Sequence, residues 1–171
     1  IIIAFLGGWY AHSLYFSQEE IIEPVTKIKP RPLDRYSIEN LSQTKIEPGD
    51  LRILNVIEEK DLYTSYLFEL TFNPSLSGNL EKTVTGQINI PRRKAESYPL
   101  VLMLRGYVDQ EIYQTGMGTK SGAAYFAENG FVTVAPDFLG YAGSNEEAKD
   151  IMETRFQTYT TVLTLLESLD Q

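Results

Sequence analysis

The sequence contains no cysteine and a single histidine in 171 residues. Without thiols there can be no disulfide, no thiolate nucleophile, no iron–sulfur cluster and no cysteine-built zinc site. One imidazole leaves too few nitrogen ligands for a histidine-built metal centre, so neither a metal nor another cofactor is expected. Positive charge is also scarce, with 15 Lys and Arg against 23 Asp and Glu and a formal net charge of -8. Such a field repels phosphate polymers and argues against nucleic acid as a partner. Catalysis in this chain must rest on hydroxyls, carboxylates or amines, or on residues outside it. The remainder is ordinary globular composition, 43% hydrophobic and 22% charged. That length suits one domain burying roughly 70% of its unfolded surface.

Charge is missing altogether from residues 1–16, IIIAFLGGWYAHSLYF. The run is shorter than the roughly 20 residues that span a bilayer. Trp9, Tyr10, Tyr15 and Phe16 gather at its end, where interfacial aromatics belong, and Glu19, Glu20 and Glu23 follow before the first basic residue, Lys27. That order favours an outward-facing C-terminal side. Ala11-His12-Ser13 has the small-x-small form of a signal cleavage site. Residues 1–18 are therefore read as an incomplete membrane anchor or a signal segment, with a buried core segment as the third reading. Either of the first two exports the rest of the chain. His12 falls in this segment, where nothing fixes it beside a nucleophile, and is read as interfacial.

Residues 19–50 mix charge with prolines at positions 24, 30, 32 and 48 and read as a linker with one helical turn near residues 38–41. Beyond it, Leu62, Tyr66, Phe68, Leu70 and Phe72 alternate with Tyr63, Ser65, Glu69 and Thr71, the pattern of a half-buried antiparallel strand. Asn73-Pro74 and Ser77-Gly78-Asn79 supply a turn, and TVTGQINI (residues 83–90) a partner strand, so residues 51–90 are expected to form a strand meander. Two continuously apolar strands follow, LVLML at 100–104 and FVTVA at 131–135, of the kind covered on both faces. A short helix at 120–128 separates them, stopped by Asn129-Gly130. Met152, Phe156, Tyr159, Leu163 and Leu166 step by four and three and predict the buried stripe of a helix of about five turns. An antiparallel start followed by strand, helix, strand, helix predicts an α/β fold, a three-layer α/β/α sandwich whose later strands are parallel.

Ligands of open α/β sheets bind beyond the C-terminal ends of the parallel strands. Two loops leave such ends, RGYVDQEIYQTGMGT (residues 105–119) and DFLGYAGS (residues 137–144). The first far exceeds the usual two to six residues. Its Gly116-Met117-Gly118-Thr119-Lys120-Ser121 ending is not a phosphate loop, because Thr119 stands where that motif requires glycine before lysine.

Taken together, residues 100–144 resemble the α/β-hydrolase superfamily, in its prolyl-oligopeptidase and dienelactone-hydrolase-like branch. There one strand ends in His-Gly-x and the next leads into Asp-x-x-Gly-x-Gly-x-Ser. Asp137, Gly140 and Ser144 match the second motif, with Ala142 in place of its second glycine and Gly143 one position later. Arg105 replaces the histidine of the first. The resemblance implies that the backbone N–H of Tyr107, or secondarily Val108, forms half of an oxyanion hole, with Gly106 allowing the turn. Arg105, Gly106, Asp137, Gly140 and Ser144 then shape the loops and the pocket. Arg105 is expected to brace the loop by pairing with Asp109 or Asp137, or to meet an anionic substrate group. Ser144 reads as a turn hydroxyl, since no histidine can activate it.

No Gly-x-Ser-x-Gly occurs in the sequence. In the family the nucleophile elbow follows the last helix seen here, so the resemblance places the Ser/Asp/His triad beyond Gln171. With Ile1 at its start, the chain is read as a fragment truncated before the elbow, residues 51–171 being the N-terminal part of the hydrolase domain. The expected protein is an exported or membrane-anchored serine hydrolase acting on a small-molecule ester or peptide substrate. The alternative is a non-catalytic α/β-hydrolase-like binding module. The chain alone is expected to be inactive, and to associate through the apolar strand edge that FVTVA leaves open.

Overall fold

A computed structural model describes residues 31–169. The apolar segment 1–16, with its anchor and signal readings, lies outside the described residues, and among those described no helix is long and apolar enough to cross a membrane. Five strands form one sheet: β1 (Asp50–Glu59), β2 (Tyr63–Phe72), β3 (Lys82–Pro91), β4 (Leu100–Leu102) and β5 (Val132–Pro136). Their order is β1-β2-β3-β5-β4, antiparallel except for the β4–β5 pair. The helices are α1 (Ile38–Gln43), α2 (Lys120–Glu128) and α3 (Ile151–Leu169). This is the α/β-hydrolase type of sandwich, an antiparallel meander continued by a parallel β4-α2-β5 unit.

Register explains the two faces. Phe68, Leu70, Phe72, Val84, Ile88 and Val134 share one face and bury with Leu165 of α3. Phe68 lies opposite Gly86, where any Cβ would strike the Phe68 ring and the Ala135 carbonyl, so glycine lets the aromatic cross the strand. The other face carries Ser65, Thr85, Gln87, Asn89 and Thr133, all buried. Three of them pair with one another: Ser65 Oγ donates to Asn89 Oδ1 at 2.7 Å, and Gln87 Nε2 donates to the same oxygen at 2.8 Å. α2 covers this face with Ala123 and Ala127, both buried. Buried polar groups bonded to each other avoid the desolvation cost that would otherwise expel them.

Helix boundaries follow local chemistry. Asp150 caps α3, its Oδ1 accepting from Met152 N at 2.9 Å and Glu153 N at 3.0 Å. Gly130 at φ +90 ends α2, and the Phe131 amide returns to the Phe126 carbonyl at 3.1 Å, as the Asn-Gly stop predicts.

Four expectations need correction. The face of α3 buried on the sheet is Gln157, Thr160, Thr161, Thr164, Leu165 and Ser168, whereas Met152, Tyr159, Leu163 and Leu166 are exposed. Hydroxyls on that face donate to backbone carbonyls, Thr161 to Gln157 O at 2.7 Å and Ser168 to Thr164 O at 2.7 Å within the helix, and Thr160 to Pro74 O at 2.8 Å outside it. Satisfied in this way, small β-branched side chains can be buried, and apolar periodicity misjudges the contact face. Second, β2 is covered on both faces, with Tyr63 and Ser65 buried, and Leu62 precedes the strand and is exposed. Third, the 19–50 stretch read as a linker is folded from Pro32 onward. Pro32–Tyr36 makes a 3-10 turn, and the buried Tyr36 stacks on Phe156 of α3 at 5.1 Å between centroids. Fourth, FVTVA does not form the open edge: β5 lies between β3 and β4, so the edge belongs to β4, and Leu100 and Leu104 are exposed there.

Candidate active-site loop

Both loops singled out in the sequence leave the C-terminal ends of the parallel pair β4–β5. The register Leu100↔Val132 to Leu102↔Val134 brings the two ends side by side. Between them and the first turns of α3 lies an open cleft of about 610 Å³. Arg105, Gly106, Tyr107, Phe138, Tyr141, Glu147 and Arg155 are among its lining residues.

Asp137 anchors the arrangement. The residue is fully buried, and its carboxyl accepts three hydroxyls: Tyr113 at 2.7 Å on Oδ1, with Thr85 at 2.7 Å and Thr115 at 2.9 Å on Oδ2. One side chain thus ties β3 and the long loop to the end of β5. Burial raises the Tyr113 phenol above its ordinary range, and the hydrogen bond and charge of Asp137 add to the shift, while Arg105 opposes it. The phenol therefore stays protonated and keeps donating.

Arg105 braces the loop through carbonyls and not through a carboxylate. Nη1 donates to Gly106 O at 2.9 Å and Nη2 to Asp137 O at 2.9 Å. Its guanidinium carbon lies 3.9 Å from the Tyr141 ring centroid and 4.5 Å from that of Tyr113. Arginine is suited to this position because a planar cation can stack on rings while its edge nitrogens donate. The expected pairing with Asp109 or Asp137 is thus replaced, since the Asp137 carboxyl is already taken by hydroxyls. Arg105 Nε is buried without an acceptor among the described residues, a cost of about 1–3 kcal/mol that the rest of the grip must offset.

Tyr107 is exposed, at 87%. Neither the Tyr107 nor the Val108 amide donates to an acceptor among the described residues. Tyr107 lines the cleft, while the Val108 carbonyl is held by the Tyr141 hydroxyl at 3.0 Å. Ser144 is a loop brace: its Oγ accepts from Thr85 N at 3.0 Å, and its own amide donates to Tyr141 O. Gly140, at φ +81, turns the second loop where a Cβ would lie 2.7 Å from Gln110 Nε2. Ala142, standing where the family motif has its second glycine, adopts a glycine-like φ of +50. Phe138 is also left-handed at φ +72, a strained backbone beside Arg105.

The sequence placed Arg105, Gly106, Tyr107, Asp137, Gly140 and Ser144 near one another and missed Thr85, Tyr113, Thr115 and Tyr141. For Thr85 the signal was available, since Thr85, Gln87 and Asn89 put three polar side chains on one face of a strand whose other face is apolar. Among the described residues no cluster of three or more His, Asp or Glu could hold a metal ion.

No protein-family model matches the sequence, and no curated protein matches it. Solved structures do. The acetyl xylan esterase from Paenibacillus sp. R4 superposes with a TM-score of 0.51 at 15% identity, over 80% of this chain and 45% of that one. Acetyl xylan esterase 1 from Thermoanaerobacterium sp. JW/SL YS485 gives 0.46 at 15% identity, over 72% and 36% of the two chains. The rice cell wall degrading esterase LipA from Xanthomonas oryzae gives 0.35 at 18% identity, over 70% and 38%. The first of these carries the fold: the chain shares the architecture of an α/β-hydrolase-type esterase and spans less than half its length.

Proposed function

We propose that the chain is the N-terminal part of an exported or membrane-anchored serine hydrolase acting on ester or peptide bonds. In this reading the 105–108 loop provides half of the oxyanion hole, and the Ser/Asp/His triad is carried beyond Gln171. The observation that carries it is the unengaged Tyr107 amide beside a cleft at the C-terminal ends of β4 and β5. In acyl transfer, a serine oxygen bonds to the carbonyl carbon and the carbonyl electron pair moves onto oxygen. A fixed N–H aimed at that oxygen is worth a factor of roughly 10² to 10³ in kcat. The oxyanion then collapses, expelling the alcohol or amine, which takes up the proton. The Arg-Gly-Tyr and Asp-Phe-Leu-Gly segments support placement in the prolyl-oligopeptidase and dienelactone-hydrolase-like branch. The uncharged residues 1–16 support export, as an anchor or as a signal.

A second reading, a non-catalytic binding module, is favoured by Arg105 where the family has histidine. A fluorophosphonate probe on the full-length protein, read alongside hydrolysis of p-nitrophenyl acetate, separates the two. The hydrolase reading expects turnover and labelling of one serine outside residues 1–171. Neither labelling nor turnover would leave the binding module.

A further inference from the structure

The geometry assigns Arg105 as the positioning residue of the loop: by holding the Gly106 carbonyl, its guanidinium sets the direction of the Tyr107 amide. This inference rests on the reading of Tyr107 as an oxyanion donor. A trans peptide is planar, so the Gly106 C=O and the Tyr107 N–H point in opposite directions and a restraint on one fixes the other. Among the described residues no other hydrogen bond holds that peptide plane. Gly106 has no side chain, open space lies where its Cβ would be, and neither its amide nor that of Tyr107 donates to an acceptor among the described residues. Left alone, a glycine peptide would sample many orientations.

The guanidinium is well placed to remove that freedom, because it is itself held from several sides. Nη2 is tied to the Asp137 carbonyl, and Tyr141 and Tyr113 stack against the cation. Tyr113 is in turn locked by its hydroxyl to Asp137 Oδ1. Tyr141 uses its own hydroxyl to hold the Val108 carbonyl, so the carbonyls of both residues flanking Tyr107 are gripped by one stacked pair. A cation on the Gly106 oxygen also polarises the peptide and strengthens the Tyr107 N–H as a donor. With both terminal nitrogens on carbonyls and two rings against it, Arg105 is poorly disposed to bind an anionic substrate group.

The test uses the full-length protein and the neutral ester p-nitrophenyl acetate. Arg105→Met and Arg105→Lys are expected to lower kcat by about ten- to a hundredfold, with KM within about twofold, the signature of a misplaced donor. Lysine fails because a single ammonium cannot stack on rings and bridge two carbonyls at once. Added guanidinium is expected to restore part of kcat to Arg105→Ala. Wild-type kcat in Arg105→Met, or a change confined to KM, overturns the assignment. Tyr107→Pro separates the two levels. If it keeps full activity, the oxyanion reading fails; if it is inactive while Arg105→Met is not, only the role of Arg105 fails. Should the arginine variants not fold, wild-type NMR decides through a hydrogen-bond coupling between the Arg105 guanidinium nitrogen and the Gly106 carbonyl carbon. Its presence is expected, and its absence overturns the proposal.

Discussion

The Tyr113 hydroxyl donates to Oδ1 of the fully buried Asp137 at 2.7 Å, joining the middle of the long 105–119 loop to the end of β5. With Thr85 and Thr115 on the other oxygen, one carboxyl fixes three segments that are distant in the chain.

That bond has a pH signature. The Tyr113 phenol is raised in the folded protein, by burial first and then by Asp137, from an ordinary value of 10.0. An acid raised on folding contributes its stability fully below the unfolded value. Above pH 10 the unfolded chain loses the proton first, so stability falls as pH climbs toward the folded value. Tyr36 and Tyr63, also raised by burial, add to the same alkaline loss. Tyr113→Phe is expected to flatten the slope of stability above pH 10, and to cost about 1–3 kcal/mol at neutral pH by removing one donor from a buried acceptor. Denaturant melts from pH 7 to 11 check both effects, and an unchanged alkaline slope contradicts the assignment.

Two left-handed positions predict opposite effects. Ala142 at φ +50 carries a Cβ where the backbone favours glycine, so Ala142→Gly should raise stability by about 0.5–1 kcal/mol. Gly116 at φ +82 faces the buried Gln87 amide, and a Cβ there would overlap Gln87 Oε1. Gly116→Ala should cost at least about 1–2 kcal/mol, through backbone strain and disruption of the Ser65-Gln87-Asn89 network. Thermal melts of the two variants should shift in opposite directions.

The corrected face of α3 is tested by neighbouring leucines. Leu165 is fully buried against the sheet, whereas Leu166 is 43% exposed. Leu165→Ala should cost about 2–5 kcal/mol and Leu166→Ala no more than about 1 kcal/mol. Equal losses in urea melts would restore the apolar stripe as the buried face.

Much of the architecture was legible because it obeys simple periods. Residues 120–128 form the helix that the alanines and the Asn129-Gly130 stop predict, and residues 51–90 form the meander. The face of α3 was not legible, because threonine hydroxyls satisfied by i−4 carbonyls count as polar in any hydrophobic pattern yet bury readily. Within the site, glycine spacing and the Asp137 motif located the two loops. Tyr113, Thr115 and Thr85 were hidden because their convergence on Asp137 is long-range, set by strand order and loop path, with separations of 22 to 52 residues. Arg105 was found, but its partners were misjudged: sequence pairs opposite charges, whereas the fold had already filled the Asp137 carboxyl with hydroxyls.

Proline at position 107 removes the amide donor while sparing its side-chain surroundings, since Tyr107 is exposed. The decisive measurement is kcat/KM of the full-length protein for p-nitrophenyl acetate, compared between Tyr107→Pro and Val108→Pro. A loss of roughly 10²- to 10³-fold is expected for Tyr107→Pro and a smaller one for Val108→Pro. Wild-type kcat/KM in Tyr107→Pro would contradict the oxyanion reading.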